Sequence, residues 1–303
     1  MVRHASIEAL VAVKPSPDQG RDAYVNANAF TTREGLRTVF GGALIGQAVS
    51  AATATVPDSF RMYSSQSSFL GAVDARKQVV YGVERASDGK TYAARVVRIT
   101  NGGACVYVAI IAFQDAARPV LRALRYETPM PDLDGMRPED VDPGAMHALQ
   151  ERFVDRSVPV LAMALEEWPF DWRPAGVEMG DQPTDLRVRI FVRAPPPPLA
   201  AGNHLAALAY LSDEFVYGTA LATDLQAAGE GFRNLTMGAT LTQTVSFHSP
   251  RARIDRWLLL ERETSWGADG RVVVHQRAWD WGTGTMVYSG TQEALIRLKG
   301  PKL

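Results

Sequence analysis

Two adjacent glycines, Gly41-Gly42, open a segment of the 303-residue chain in which Leu44, Ile45, Ala48, Val49 and Ala52 share one helical face. A helix start bare of side chains lets a carbonyl oxygen approach backbone N–H groups, where the helix dipole favours negative charge. That suits an oxyanion; close helix-to-sheet packing is the structural use of the same pair. Other reactive residue types are scattered. His4, His147, His204, His248 and His275 show no paired ligand spacing, so no metal site is expected. His248, beside Phe247, reads as structural. Cys105 is the single cysteine, which excludes an internal disulfide or a multi-thiolate metal site and fits a reducing compartment. It reads as a small apolar filler of a strand over residues 104–113. Gly41-Gly42 lacks both the lysine of a phosphate-binding loop and the G-x-G-x-x-G spacing, so no nucleotide or other cofactor is expected.

The elements that would position such a site follow from the pattern. Residues 42–55 read as a buried, Ala- and Gly-rich helix. Apolar and β-branched runs at 78–84, 92–100 and 105–113, divided by Asp88-Gly89 and Asn101-Gly102-Gly103, read as an antiparallel meander. Residues 116–184 are Pro-rich and charge-mixed, a connector with one helix-like piece at 145–154. The earlier order then returns: a strand over 186–193, a proline run, an Ala-rich helix over 204–221 and a second meander over 236–297, divided at Ala268-Asp269-Gly270 and Gly282-Thr283-Gly284. Phe69 precedes Gln114 by 45 positions (114 − 69), and Phe247 precedes Gln292 by 45 (292 − 247). Val79–Arg85 overlays Trp257–Glu263 in apolar character. These recurrences predict a duplicated unit of one buried helix and one antiparallel sheet. A sheet wrapped around a single central helix is the hotdog arrangement, so the expected fold is α+β, a double hotdog of two antiparallel sheets each wrapped around a long central helix. The expected units are 20–115 and 185–300, joined by 116–184.

Composition narrows the partners. Lys and Arg number 32 against 33 Asp and Glu, which gives no field of the kind nucleic acid requires. Residues 1–13 carry scattered charge without an apolar run of signal-peptide length, and no stretch reaches the ~20 apolar residues that span a bilayer. A cytoplasmic chain with no membrane span is expected. The terminal Pro301-Lys302-Leu303 only loosely matches the Ser-Lys-Leu peroxisomal address.

Several segments, in order, carry a resemblance: residues 39–48 (Val-Phe-Gly-Gly-Ala-Leu-Ile-Gly-Gln-Ala), 88–95 (Asp-Gly-Lys-Thr-Tyr-Ala-Ala-Arg), 209–213 (Ala-Tyr-Leu-Ser-Asp), 247–250 (Phe-His-Ser-Pro) and 291–293 (Thr-Gln-Glu). Together they resemble the acyl-CoA thioesterase II (TesB-like) family from about residue 36 to 297. The resemblance implies a double hotdog that hydrolyses fatty acyl-CoA with an Asp, a Thr and a Gln directing a water. Those residues fall on Asp213, Thr240 and Gln292. It also implies an acyl-CoA substrate and a homo-oligomer of double-hotdog chains.

The residue types suit the reaction. Thioester hydrolysis needs a held water, a group to take its proton and donors for the developing oxyanion. Asp213 alone of the three can take a proton; Thr240 and Gln292 can accept and donate, and so orient a water. Ordinary roles stand beside these: Asp213 as a cap or ion pair, Thr240 and Gln292 as sheet residues. With Phe40-Gly41-Gly42 set opposite His204-Leu205-Ala206, the counterpart of Asp213 is Val49, so one site per chain is expected, built from Gly42 and Asp213. The chain departs from its relatives at Thr242-Gln243-Thr244, where they carry Asp-His-Ser, and at residues 66–70, where they carry His-Ser-Tyr-Phe-Leu. Both changes leave the acyl specificity open. An enoyl-CoA hydratase or dehydratase would need an acid/base Asp and His close together, and no Asp-x-x-x-x-His spacing sits at a helix start in this chain; a non-catalytic acyl-CoA binder is the other alternative.

Overall fold

The structure, a computed structural model, describes residues 6–30, 38–118, 122–146, 148, 169–200, 202–229 and 233–300. The helix expected at 145–154 lies almost wholly outside these residues, as do the terminal tripeptide, His4 and His147. A short helix α1 (Ile7–Val11) and strands β1 (Val13–Pro15) and β2 (Ala23–Asn26) lead to helix α2 (Gly41–Thr53) and the meander β3 (Phe60–Phe69), β4 (Val79–Asp88), β5 (Tyr92–Asn101) and β6 (Ala104–Asp115). Then come β7 (Asp171–Glu178), β8 (Arg187–Arg193), helices α3 (His204–Leu211), α4 (Val216–Leu221) and α5 (Leu225–Ala228), and the second meander β9 (Leu235–Phe247), β10 (Leu258–Ala268), β11 (Arg271–Asp280) and β12 (Met286–Leu298).

The two meanders join in one continuous sheet, with order β1-β2-β4-β5-β6-β3-β9-β12-β11-β10-β8-β7 and every pairing antiparallel. The halves meet at β3 and β9, whose ladder runs from Ser64↔Ser246 through Gln66↔Thr244 to Ser68↔Thr242. Joining two exposed edge strands satisfies backbone groups that two separate sheets would leave bare. Duplication is written into the irregularities. The residues bulged out of the first half, Tyr63, Ala86 and Val106, recur as Leu241, Ser265 and Val287. That alignment corrects the spacing argument. Gln292 pairs with Gln243 as Ile111 pairs with Ser65, so the counterpart of Gln292 is Ile111 and not Gln114. The overlay of residues 79–85 on 257–263 is likewise one residue out of register, because Ala86 matches Ser265.

Helix α2 forms as its small-residue pattern predicts, buried along almost its whole length and packed on β4, β5 and β6. It runs antiparallel to α3 at backbone contact: a Cβ on Gly42 would meet the Tyr210 carbonyl at 2.6 Å, and one on Gly46 the Ala206 carbonyl at 3.0 Å. The second helix differs from expectation. Residues 204–221 hold two helices, broken between Leu211 and Val216. Residues 116–184 do more than connect. They supply the edge strand β7, and Met130, Leu133 and Val141 cover Phe191, Trp257 and Leu259 on the outer face of the sheet. Among the described residues, no helix is long and apolar enough to cross a membrane.

Candidate active site

The helix break positions the aspartate. Helix α3 ends where the Ser212 hydroxyl turns back to the Ala209 carbonyl at 2.7 Å, competing for the last helical acceptors. Phe215 then takes a left-handed conformation at φ 55°, which costs a non-glycine residue on the order of 1–2 kcal/mol. Its ring packs edge-on against Trp172 at 5.0 Å, and the Ser212 carbonyl accepts from Gln276 Nε2 at 2.7 Å. These contacts hold a turn that an unbroken helix would not make, and the turn presents Asp213 to the start of α2.

Asp213, Thr240 and Gln292 come together there. Thr240 Oγ1 donates to Asp213 Oδ1 at 2.8 Å, and Gln292 Nε2 donates to the same oxygen at 2.7 Å and to Thr240 Oγ1 at 2.7 Å. All are buried, Gln292 completely. Thr240 and Gln292 are diagonal neighbours in the antiparallel ladder of β9 and β12, where Thr240 pairs with Ala294 and Gln292 with Gln243 across the bulge at Leu241. Gly41 adjoins the carboxylate so closely that a Cβ there would stand 2.6 Å from Asp213 Oδ2, and the Gly42 N–H donates to the carboxylate. The first half's helix start and the second half's carboxylate thus lie against each other.

Two members were not foreseen. Tyr217 OH lies 3.0 Å from Thr240 Oγ1, and Gln243 Nε2 donates to Gln292 Oε1 at 2.8 Å. Tyr217 stands one helical turn after Asp213, a spacing visible in the sequence but spoiled as a signal by the break. Gln243 belongs to the segment in which the chain departs from its resemblance; its neighbours Thr242 and Thr244 point to the exposed face while Gln243 is buried. His248 is elsewhere, exposed and bonded to Ser289 Oγ at 2.9 Å.

The hydrogen-bond inventory of the cluster closes. The one hydroxyl proton of Thr240 goes to Asp213, and its two lone pairs face Gln292 Nε2 and Tyr217 OH. Both amide protons of Gln292 are engaged as well. Asp213 Oδ1 therefore receives two donors, while Oδ2 faces the opening of α2.

Burial raises the Asp213 carboxyl to about 6; the bonds from Thr240 and Gln292, the Arg262 charge and the Gly42 N–H hold it from going higher. Neighbouring Glu214 is pushed by burial to about 8, with Arg262 drawing it down and Asp213 pushing it up. Arg262 is fully buried, and its cationic form is disfavoured by desolvation and favoured by Tyr288, Glu214 and Asp213. The set is thus two buried carboxyls, Asp213 and Glu214, both raised by desolvation and both drawn down by the Arg262 charge. Among the described residues no cluster of three or more His, Cys, Asp or Glu could hold a metal ion. A cleft of about 520 Å³ between Thr128, Glu178, Arg187, Arg189 and Glu261 opens on the other face of the sheet, and its arginines are paired with Glu178, Glu261 and Glu263.

A large antiparallel sheet carrying few helices is shared with hotdog-fold proteins. An acyl-CoA thioesterase II, TesB2, from Mycobacterium marinum superposes with a TM-score of 0.74 over 97% of this chain and 99% of its own, at 22% identity. A hot dog fold protein from Alicyclobacillus acidocaldarius gives 0.71 over 98% of each chain at 17% identity. These likenesses establish the fold class. The family follows from sequence profiles: residues 32–114 match the acyl-CoA thioesterase N-terminal domain and residues 127–296 the acyl-CoA thioesterase C-terminal domain. The chain belongs to the acyl-CoA thioesterase family and is a thioester hydrolase. Acyl-coenzyme A thioesterase 8 of Homo sapiens is 27% identical over 275 residues, covering 87% of this chain and 82% of that one. Acyl-CoA thioesterase 2 of Haemophilus influenzae is 26% identical over 268 residues, covering 87% and 89%.

Proposed function

We propose that this chain hydrolyses fatty acyl-CoA to the free acid and coenzyme A at Asp213, with Thr240 and Gln292 acting through that carboxylate. The observation that carries the reading is the division of labour between the two oxygens of one buried aspartate. Oδ1 is occupied by Thr240 and Gln292, which fixes the plane of the group. Oδ2, beside the start of α2, is the oxygen that binds the water and takes its proton. Since neither Thr240 nor Gln292 has a proton left to give a water, they orient the base rather than the nucleophile.

The water oxygen attacks the thioester carbonyl carbon as its proton moves to Asp213, and the carbonyl π pair becomes an oxyanion. The N–H groups opening α2 face that charge: Gly41 directly, and Gly42 once a protonated Asp213 loosens its hold. Collapse breaks the C–S bond, and the departing thiolate takes the proton back from Asp213. A carboxyl near 6 suits both halves of this cycle, being ionised at neutral pH yet basic enough to receive a proton.

The wider reading is a double hotdog whose units, 20–115 and 185–300, close over α2 and over the broken α3–α4 helix, with 116–184 between them. On this reading the chain acts as a homo-oligomer in the cytoplasm and binds no nucleic acid. Release of free thiol from medium-chain acyl-CoA tests the activity: hydrolysis liberates it, whereas hydration or binding without turnover does not.

A further inference from the structure

Gln243 has no part in the reading above, yet among the described residues it is the side chain that hydrogen-bonds the far end of Gln292. The amide of Gln292 must present Nε2, not Oε1, to Asp213, since a carboxylate oxygen repels a carbonyl oxygen. During turnover Asp213 cycles between charged and neutral forms, so its own demand for a donor lapses at each proton transfer. A second, constant constraint comes from the other side: Gln243 Nε2 donates at 2.8 Å to Gln292 Oε1. Gln243 is itself buried and is clamped where the halves join, opposite Ser67 in the β3–β9 ladder, with Ser67 Oγ 3.4 Å from its carbonyl oxygen.

We propose that Gln243 is a positioning residue that locks the Gln292 amide in its donor orientation, and so keeps Asp213 ionised and aimed throughout the catalytic cycle. The proposal rests on Asp213 being the base. Other groups act on Asp213 from around it: Arg262 on β10, Glu214 beside it, Tyr107 on β6, Tyr210 on α3 and Tyr217 on α4. None of them touches Gln292 Oε1 among the described hydrogen bonds, so loss of the lock is not made good by a neighbour.

Gln243→Met keeps the length and bulk of the side chain and removes the donor. Thiol release from a medium-chain acyl-CoA should show kcat down roughly 10-fold with KM within about 2-fold, because the group acts on the base and not on the substrate. Losing an oriented N–H removes stabilisation of the carboxylate, so the acid limb of the kcat/KM profile should move upward in pH. Gln243→Glu is isosteric, and at pH values high enough to ionise its buried carboxyl it is an acceptor that repels Gln292 Oε1 and should there exceed the methionine variant in both effects. Gln243→His restores an N–H donor and should recover most of kcat and return the limb. If the methionine variant does not fold, the glutamate and histidine variants carry the same comparison. An unchanged limb in both donor-free variants would overturn the proposal, as would a loss confined to KM. Asp213→Asn measured alongside separates the two readings. If it stays active, the base assignment fails; if it is inactive while Gln243→Met behaves as the parent, only the lock fails.

Discussion

The two halves share strand order, ladder register and even the places where residues bulge from the sheet, yet they differ where chemistry would be done. In the second half the inward positions hold Thr240, Gln243 and Gln292. The matching positions of the first half hold Met62, Ser65 and Ile111. Met62 and Ile111 are buried apolar side chains in that half's core, and Val49, set opposite Asp213 by the helix alignment, is as deeply buried. The helix starts diverge in the opposite sense: α2 opens on glycines at backbone contact with its neighbour, whereas α3 opens on His204-Leu205, and His204 is buried near Asp255 and Glu8. On the proposed reading, a carboxylate here and a bare helix start there make one site from two half-sites. The sheet needs both halves for its ladder, but the reaction needs one carboxylate only, so the other set of positions is free to become core.

The sharpest way to break this comparison is to remove the base. Asp213→Asn keeps the acceptor for Thr240 and Gln292 but not the basicity, and kcat/KM should fall by roughly 10²–10⁴. Near-normal thiol release by the folded variant would mean that the proton goes elsewhere. Thr240→Val and Gln292→Ala should each fall by a similar or smaller factor. The triple variant should be little worse than Asp213→Asn alone, since groups acting through one carboxylate form a unit. Simple multiplication of the three losses would show them working independently.

Next in size is the count of sites. A non-hydrolysable acyl-CoA thioether should titrate by calorimetry at one per chain, because the first half holds Met62 and Ile111 where the second holds Thr240 and Gln292, and Ser65 is left there without a carboxylate or amide beside it. A stoichiometry near two would show that the apolar half also binds.

Much of this asymmetry was legible before the structure. The long α2 helix follows from its run of small residues, and the hairpins from Asp-Gly and Gly-Gly turns. The three site residues came from ordered resemblance, since an Asp, a Thr and a Gln far apart in sequence carry no periodic signal of their own. The failures share a physical cause. The broken second helix could not be read because Ser212-Asp213-Glu214-Phe215 has no Gly or Pro. The break is imposed by tertiary contacts of Phe215 with Trp172 and of Ser212 with Gln276. Strand equivalences were off by up to three residues because the connection from β9 to β10 is one residue longer than that from β3 to β4 and the turn from β11 to β12 is two longer than that from β5 to β6, and only the ladder reveals it. Gln243 looked like a departure from pattern and proved to be a contact of the site.

The charge state of the site gives a smaller effect. With Asp213 near 6, kcat/KM should rise with pH through about pH 6 as the free enzyme's carboxylate ionises, and the limb should vanish in Asp213→Asn. A limb at the ordinary aspartate value near 3.8 would mean that the carboxylate is far better solvated than its burial implies.

The smallest effect is on stability. Asp213 has a folded-state value of about 6 against an ordinary value of 3.8, so the folded protein holds this proton more tightly than the unfolded chain does. Its contribution is fully present below about pH 3.8 and is lost as pH rises through about 6, leaving the ionised group a burden on the fold at pH 7. A gap of roughly two units bounds that burden at about 3 kcal/mol. Asn in its place removes the buried charge but turns an amide nitrogen toward one of the donors the carboxylate had satisfied, which returns about 1 kcal/mol or more of cost. On balance Asp213→Asn should melt higher than the parent at pH 7, by an amount on the order of 1 kcal/mol, and the difference should vanish or reverse near pH 4. The second half would then be seen to carry its base at the expense of stability, a burden the first half, with Val49, Met62 and Ile111, does not bear. Thermal melts of both proteins at the two pH values decide it: a variant that melts lower than the parent at pH 7 would show the carboxylate to be a structural anchor instead.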